Sequence, residues 1–193
     1  MTERRPDDAY YTPEWATRAL IPHLPKGWRR QRLLEPSCGD GAIIRALDRA
    51  DGNTTAVDVR NEALEALPPE VRAIHRSFLD WRPPWEPSFP LVITNPPFNA
   101  TLEFAEACLR WCAPRGHVFL LMRLSFFGSK KRQRFHFDNP IHALYPLTGK
   151  RLSFTGDGKT DNTEYAWFHW RKDARGELIP GSVHPLARPE DLG

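Results

Sequence analysis

The sequence predicts an α/β fold in which a mostly parallel sheet carries helices on both of its faces. Short apolar runs, several of them rich in β-branched residues, alternate along the chain with segments of helical spacing, and this alternation is typical of parallel sheets. Polar residues and glycines follow directly after several of these runs, where ligands bind in such sheets. The chain of 193 residues is long enough for one domain with a sizeable core.

Composition indicates a folded chain without membrane spans. Hydrophobic residues make up 40% and charged residues 26%, and no apolar run approaches the roughly 20 residues that cross a bilayer. The charged N-terminus lacks the apolar core of an export signal, so a cytoplasmic location is expected. Three cysteines have neither the number nor the spacing of a disulfide framework or a metal site, so free thiols and no bound metal are expected. The net charge of +3 permits a nucleic-acid partner without requiring one.

The first half of the chain carries signals for three strands, and the first two are each followed by a helix. Thr12 precedes Pro13 and Glu14, an order that is typical of a helix start. The predicted elements are a helix from residue 14 to 21, strands at 32–36, 54–58 and 73–79, and helices at 42–50 and 61–67.

The second half adds four strands and an amphipathic helix. Apolar or alternating patterns predict strands at 91–94, 117–124, 141–144 and 163–170 and a helix at 101–112. From about residue 171 the chain is polar and contains several prolines, so residues 171–193 are expected to be loosely structured.

Polar clusters follow the first four predicted strands. These are residues 35–41, Asp58, Asp80 and residues 95–98. Because the carboxyl ends of parallel strands meet at one edge of a sheet, the clusters are predicted to line a common ligand site.

The glycine turn and the spaced acids favour a nucleoside ligand without phosphate. Gly39 and Gly41 allow close approach of the backbone to a ligand, and Asp58 can accept both hydroxyls of a ribose. Asp80 could accept from an adenine amine. The turn lacks both GxGxxG and the lysine of a P-loop, and the charge of Glu35 disfavours phosphate. S-adenosylmethionine, which has an ammonium, a sulfonium and a ribose, is therefore the predicted cofactor, although each feature alone is also compatible with an ordinary turn or a solvated acid.

Residues 95–98, called here the NPPF loop, suit methyl transfer to an adenine amine. The Asn95 side-chain oxygen and the Pro96 carbonyl can accept hydrogen bonds from the two N–H groups of the exocyclic nitrogen. Pro97 holds Pro96 in an extended conformation. These two hydrogen bonds, to preorganised acceptors, make the nitrogen lone pair available for methyl transfer. Phe98 offers a face on which a flipped base stacks. The alternative interpretation is a proline turn after a strand.

These motifs, in this order, resemble the S-adenosylmethionine-dependent amino-methyltransferases, and most closely the N6-adenine DNA methyltransferases, over roughly residues 10–170. In that family the motif (Asn/Asp/Ser)-Pro-Pro-aromatic is catalytic, and the NPPF loop matches it. The late aromatic strand at 163–170 is also similar to one of the family. The resemblance implies a Rossmann-like class I methyltransferase fold with a seven-stranded sheet, S-adenosylmethionine as cofactor and DNA as substrate.

The resemblance also implies the residues that hold the cofactor. Residues 35–41 are similar to the cofactor loop of the family, two acids match those that hold its ribose and adenine, and residues 11–13 resemble a segment that closes over its methionine end. The cofactor-binding residues so implied are Tyr11, Thr12, Pro13, Glu35, Pro36, Ser37, Cys38, Gly39, Gly41, Asp58, Val59, Asp80, Trp81 and Asn95.

The chain departs from the family in offering no room for a target-recognition domain. Residues 81–94 and the segment after residue 170 are both too short for one, so residues 1–193 are expected to be a single catalytic domain. Sequence preference is then low or short, or a protein partner supplies target recognition. Residues 124–137 interleave phenylalanines with basic residues, a composition that suits nucleic-acid contact but also a solvated loop. The basic residues are Lys130, Lys131, Arg132 and Arg134.

Several other functions stay open on the sequence. RNA adenine methylation uses the same chemistry, and a protein glutamine amide poses the same geometric problem, but that group of enzymes usually has tyrosine where this chain has Phe98. Cytosine N4 is a further target, although serine before the two prolines is commoner in that group. An inactive cofactor-binding subunit is the remaining alternative, and it is disfavoured by the intact Asn95 and Asp58.

Overall fold

One seven-stranded sheet organises the part of the chain that the structure describes. The computed structural model describes residues 12–83, 89–149, 151–153 and 162–183. The strands are β1 (Leu33–Glu35), β2 (Thr54–Asp58), β3 (Arg72–His75), β4 (Phe89–Thr94), β5 (Cys112–Arg123), β6 (Ala143–Pro146) and β7 (Tyr165–Arg171). The helices are α1 (Glu14–Leu20), α2 (Ala42–Leu47), α3 (Asn61–Glu65), α4 (Thr101–Trp111) and α5 (Lys130–Asp138).

The strand order is β3-β2-β1-β4-β5-β7-β6. The first five strands in this order run parallel, and β7 pairs antiparallel with both β5 and β6. The prediction of a mostly parallel, seven-stranded sheet with flanking helices is thus confirmed. The order reverses between β1 and β4, and ligands bind at such a switch point beyond the carboxyl ends of the strands.

The central strands bury both of their faces, so neighbouring residues belong to different cores. Leu34 and Val92 pack with α4 in the larger apolar cluster. Leu33 and Leu91 pack with α1 and α2 in the other. The Trp167 indole N–H donates to the Ala16 carbonyl over 2.9 Å and so ties α1 to β7. No helix within the described residues is long and apolar enough to cross a membrane.

The predicted third strand was wrong in its length. β3 ends at His75, and residues 78–80 form a turn in which the Asp80 N–H donates to the Ser77 carbonyl. β3 is an edge strand with three of its four residues exposed, so its apolar pattern is weak. The apolar pair Phe78 and Leu79, which suggested a longer strand, belongs to the turn.

The basic segment 124–137 is a 3-10 turn followed by α5 and is not the predicted loop. Arg134 and Asp138, which lie one helical turn apart, form an ion pair of 2.6 Å that stabilises the helix. Phe135 and His136 are buried on the inner side of the helix. The segment is therefore anchored to the core by its aromatic residues.

The start and the end of the core also differ from expectation. Helix α1 begins at Glu14 as its N-terminal pattern predicts, but Pro13 is the N-cap and no side chain, Thr12 included, caps the helix. Residues 172–178, expected to be loose, close a short hairpin through a bridge between Lys172 and Leu178. The Asp173 carboxylate accepts from backbone N–H groups of this turn, which explains its order. Residues 184–193 of the predicted tail lie outside the described residues.

Candidate active site

A cleft of about 150 Å³ lies at the carboxyl ends of β1, β2, β3 and β4. It is called the main cleft here. Nine residues predicted from the sequence line it, and they come from three of these four strand ends. They are Pro36, Ser37, Gly39, Asp58, Val59, Asn95, Pro96, Pro97 and Phe98.

Five further lining residues were missed by the sequence analysis. They are Arg60, Arg76, Ser77, Phe78 and Phe104. Ser77 and Phe78 lie where Asp80 and Trp81 were expected, because β3 ends earlier than predicted. The charged Arg76, which interrupts the apolar pattern, is the signal that could have marked the end of β3.

Seven described residues that were predicted to bind the cofactor do not line the main cleft. Asp80 is exposed in the turn after β3, and Trp81 is buried in the core against Phe78, with ring centroids 6.4 Å apart. Neither Asp80, predicted to accept from the adenine amine, nor Trp81, predicted to bind the cofactor, lines the main cleft. The other five are Thr12, Pro13, Glu35, Cys38 and Gly41, and Tyr11 lies outside the described residues.

The glycine turn and Asp58 are held together. The Gly39 N–H donates to Asp58 Oδ2 over 2.8 Å, and the Arg60 guanidinium donates to Oδ1 over 3.1 Å. Gly41 has a φ of 77°, and a Cβ there would meet the Leu67 side chain at 2.5 Å. Gly41 therefore shapes the turn from behind, while Gly39 and Asp58 face the same cleft.

Glu35, at the end of β1, is a buried carboxyl group close to two other acids. Its side chain is 1% exposed, and Oε2 has no hydrogen-bond partner among the described residues. Burial, followed by the nearby charges of Asp40 and Asp58, holds the Glu35 pKa well above its usual value. Because a cation nearby favours the ionised form of a buried acid, this site suits a cationic ligand.

The backbone of the NPPF loop is fixed by its neighbours. The Ser37 hydroxyl bonds to Thr94 Oγ1 over 2.7 Å and donates to the Asn95 carbonyl over 3.1 Å. The Pro97 carbonyl accepts from the Ala100 N–H. These contacts join the loop to β1 on one side and to α4 on the other.

Two acceptors of the NPPF loop have no donor within the described residues. Asn95 is 9% exposed, and its Oδ1 atom is buried without a hydrogen-bond partner. The Pro96 carbonyl likewise receives no hydrogen bond from described residues. The loop thus keeps the two oxygens that an NH2 group requires.

The basic residues of α5 divide into two groups. Lys130, Lys131 and Arg134 are exposed, whereas Arg132 is half-buried and lines a second cavity beside Phe98. Of the four phenylalanines in 124–137, only Phe137 is strongly exposed, at 43%. The surface of this segment therefore consists mainly of basic residues, and most of its aromatic residues are not exposed as expected.

The chain matches a known protein family over the segment that forms most of the main cleft. The model of the methyltransferase small domain family matches residues 11–111, just over half of the chain. The chain belongs to the methyltransferase small domain family. This family implies S-adenosylmethionine as the cofactor, and the acidic site around Glu35 and Asp58 fits that cofactor.

A curated relative and several solved structures agree with this family. The Type II methyltransferase M.TthHB8I of Thermus thermophilus is 35% identical over 100 residues, which are 49% of this chain and 22% of that protein. The methyltransferase chain thus spans less than a quarter of the relative it matches.

The solved structures share the fold at low sequence identity. A Listeria monocytogenes protein assigned as a class I S-adenosylmethionine-dependent methyltransferase has a TM-score of 0.69 at 16% identity, over 95% of this chain and 67% of that chain. The 23S rRNA methyltransferase ErmE has a TM-score of 0.58 at 17% identity, over 90% of this chain and 72% of that chain. The M protein of the type I restriction enzyme EcoKI has a TM-score of 0.59 at 15% identity, over 86% of this chain and 44% of that chain.

Proposed function

We propose that this methyltransferase transfers a methyl group to the N6 amine of adenine in DNA. The observation that carries the proposal is the Asn95 Oδ1 atom, which is buried at the main cleft without a donor among the described residues. A primary amine on a flat ring brings the N–H groups that Asn95 and the Pro96 carbonyl lack.

The chemistry needs an acceptor pair and no strong base. S-adenosylmethionine supplies a methyl group on a positively charged sulfur. Asn95 Oδ1 and the Pro96 carbonyl accept the two N–H bonds, draw the nitrogen toward tetrahedral geometry and expose its lone pair. The same oxygens stabilise the positive charge that develops on nitrogen, because they are already oriented before the reaction. The proton leaves afterwards to water.

Cofactor binding is assigned to the strand ends on the other side of the main cleft. Asp58 would hold the ribose hydroxyls, with the Gly39 N–H fixing its carboxylate. Glu35 would supply negative charge to the ammonium end. Ser77 and Phe78 take the place that was first predicted for Asp80 and Trp81, so the adenine of the cofactor would pack against Phe78.

DNA is favoured over RNA by the curated relative, whose name is that of a Type II methyltransferase, and by the likeness to a restriction-enzyme M protein. RNA adenine methylation is the second candidate, because the fold is shared with a 23S rRNA methyltransferase. For either substrate the base must leave its stack to reach the NPPF loop, where Phe98 offers a stacking face.

Target recognition is proposed to be weak, short or supplied by another protein. No target-recognition domain separates β3 from the NPPF loop, since only residues 76–88 lie between β3 and β4. A protein partner that reads the sequence is therefore part of the proposal.

Nucleoside analysis tests this proposal. Purified protein is incubated with labelled cofactor and with DNA, RNA or total protein, and the nucleic acids are digested and examined by mass spectrometry. We expect N6-methyladenine from DNA. N4-methylcytosine, or label that goes only to RNA or to protein, would contradict the assignment, and heat-denatured enzyme is the control.

A further inference from the structure

We propose that a second cavity, on the far side of the NPPF loop, binds a phosphate group of the target nucleotide through Arg123 and Arg132. This inference rests on the proposed function, since it needs a nucleic-acid substrate. The cavity, called here the arginine cavity, measures about 150 Å³ and shares Pro96 and Phe98 with the main cleft. It therefore lies next to the acceptors that would grip the target amine.

The lining of the arginine cavity is cationic. Arg123, at the end of β5, and Arg132, on α5, both line it. None of the residues found to line it is acidic. Besides Pro96, Phe98 and the two arginines, they are Thr101, Leu121, Met122, Ser125 and Phe126. Guanidinium groups match the geometry of phosphate oxygens and bind them bidentately, so an anion is the ligand that this wall suits.

Arg132 has a donor for which the described residues offer no acceptor. Its guanidinium carbon lies 4.8 Å from the centre of the Phe126 ring, and one terminal nitrogen donates to the Ser125 carbonyl over 3.0 Å. Its Nε atom is buried without a hydrogen-bond partner among the described residues. A buried donor of this kind destabilises the protein unless an acceptor is supplied, and a phosphate oxygen is such an acceptor.

Arg123 covers the ring on which the target base is proposed to stack. Its guanidinium carbon lies 4.4 Å from the centre of the Phe98 ring, and its Nε atom donates to the Tyr165 hydroxyl over 2.9 Å. A base that enters on this face displaces the guanidinium from Phe98. The phosphate of the same nucleotide then gives Arg123 a new partner a short distance away.

An aromatic face and two guanidinium groups within one cavity select a base that carries a phosphate. A glutamine amide offers neither the flat ring nor the anion, so the arginine cavity favours a nucleotide over a protein side chain. Arg123 and Arg132 are positioning residues in this account, because they act on the phosphate and not on the reacting nitrogen.

The test compares Arg123→Gln and Arg132→Gln with the wild type. The affinity for a single-stranded oligonucleotide of twelve deoxyadenosines is measured at several salt concentrations, together with KM and kcat for methylation of unmethylated genomic DNA. We expect each variant to lower the slope of log affinity against log salt by about 0.7 and to raise KM roughly tenfold. Cofactor Kd, measured by calorimetry, should stay within a factor of about two, since neither residue lines the main cleft.

Two controls separate charge from fold. Arg110→Gln changes an exposed arginine of α4 about 14 Å along the helix from Thr101, and it should leave the slope and KM unchanged. Arg123→Lys keeps the charge but loses the bidentate geometry, so the slope should recover while KM stays raised.

The outcomes distinguish this inference from the function on which it rests. If the wild type methylates DNA but both glutamine variants keep its slope and KM, the phosphate site is overturned and the proposed function stands. If the wild type neither binds nor methylates nucleic acid, or methylates protein instead, the proposed function fails and the phosphate site fails with it.

Discussion

At the scale of single residues, two buried oxygens at the carboxyl ends of β1 and β4 determine which groups of a ligand the protein favours. Asn95 Oδ1 and Glu35 Oε2 are both buried and have no donor among the described residues. An unsatisfied buried acceptor costs about 1–3 kcal/mol. A ligand that brings an amine to each oxygen therefore stabilises the protein, and a methylatable NH2 and an ammonium are such groups.

Glu35→Gln is predicted to stabilise the free protein and to weaken cofactor binding. The Glu35 pKa is raised by burial, so the folded state releases this proton at higher pH than the unfolded chain. The stabilising contribution is complete below pH 4.5, the ordinary value, and is lost as pH rises through the raised pKa. At pH 7 the variant should melt a few degrees higher than the wild type, as about 1 kcal/mol would give.

Thermal melts at pH 4.5 and pH 7, with cofactor titration by calorimetry, check the Glu35→Gln prediction. The difference in Tm should be much smaller at the lower pH, and cofactor affinity should fall roughly tenfold because a charge-assisted bond is lost. A variant with unchanged melting at both pH values and unchanged affinity would remove Glu35 from the account.

The same scale shows what sequence reasoning can reach. The NPPF loop and Asp58 line the main cleft, and their positions can be read locally because prolines and a charged residue after an apolar strand mark a strand end. Ser77 was not found, because a serine carries no chemical signal of its own. Its position depends on where β3 ends, and that edge strand has too few buried residues to show its length.

At the scale of elements, α5 packs one face against the core and exposes the other, which carries the lysines proposed to contact nucleic acid. Phe135 and His136 pack inward, while Lys130 and Lys131 are exposed. The sequence analysis predicted a loop because the segment is rich in charge. The helix could not be inferred locally, since its stability depends on Phe126 and Phe135, which meet edge to face with ring centroids 5.9 Å apart.

Changing both Lys130 and Lys131 to Ala is predicted to weaken DNA binding through charge alone. If both exposed ammonium groups contact the phosphate backbone, the slope of log affinity against log salt should fall by about 1.8 on duplex DNA. Binding curves at several salt concentrations measure it, with Arg18→Ala on α1 as the control, since Arg18 pairs with Glu14. An unaltered slope would assign this end of α5 to structure only.

At the scale of the whole molecule, a stack of aromatic rings and histidines packs on the antiparallel end of the sheet, formed by β5, β7 and β6. His117 Nδ1 lies 2.9 Å from His169 Nε2, and the His169 ring stacks on Phe119 with centroids 4.1 Å apart. Burial lowers the pKa of His117 to about 4 and that of His169 to about 3, with further lowering by Arg171 and His142. This region of β5, β6 and β7 therefore requires neutral histidines.

The free energy of unfolding is predicted to fall as pH is lowered from 6.5 toward 4. Both folded-state pKa values lie below the ordinary 6.5, so the unfolded chain takes up protons that the folded protein excludes. His169→Phe should remove on the order of 2 kcal/mol of this acid-dependent loss.

Urea unfolding at pH 7 and pH 4.5 measures the acid dependence. The exposed His75→Gln should lose as much stability on acidification as the wild type. If His169→Phe shows the same loss as His75→Gln, the histidine stack does not cause it.

The sheet as a whole was predictable because the alternation of strands and helices is a property of the entire chain. β1 and β4 appear in the sequence as apolar runs, which indicates that both of their faces are buried and that they lie at the centre of the sheet. The antiparallel direction of β7 was not predicted. It depends on the pairing of His117 with Arg171 and of Arg123 with Tyr165, which are contacts between distant segments.

The central claim is that Asn95 grips the target amine, and Asn95→Ala tests it most directly. Methyl transfer to DNA and cofactor Kd are measured on the same preparation, with Asn99→Ala, an exposed neighbour, as the matched control and Asn95→Asp as the variant that keeps an acceptor. We expect Asn95→Ala to lose at least about 10²-fold in kcat with nearly unchanged cofactor affinity, while Asn95→Asp keeps part of the activity. Transfer by Asn95→Ala at the rate of Asn99→Ala would contradict it.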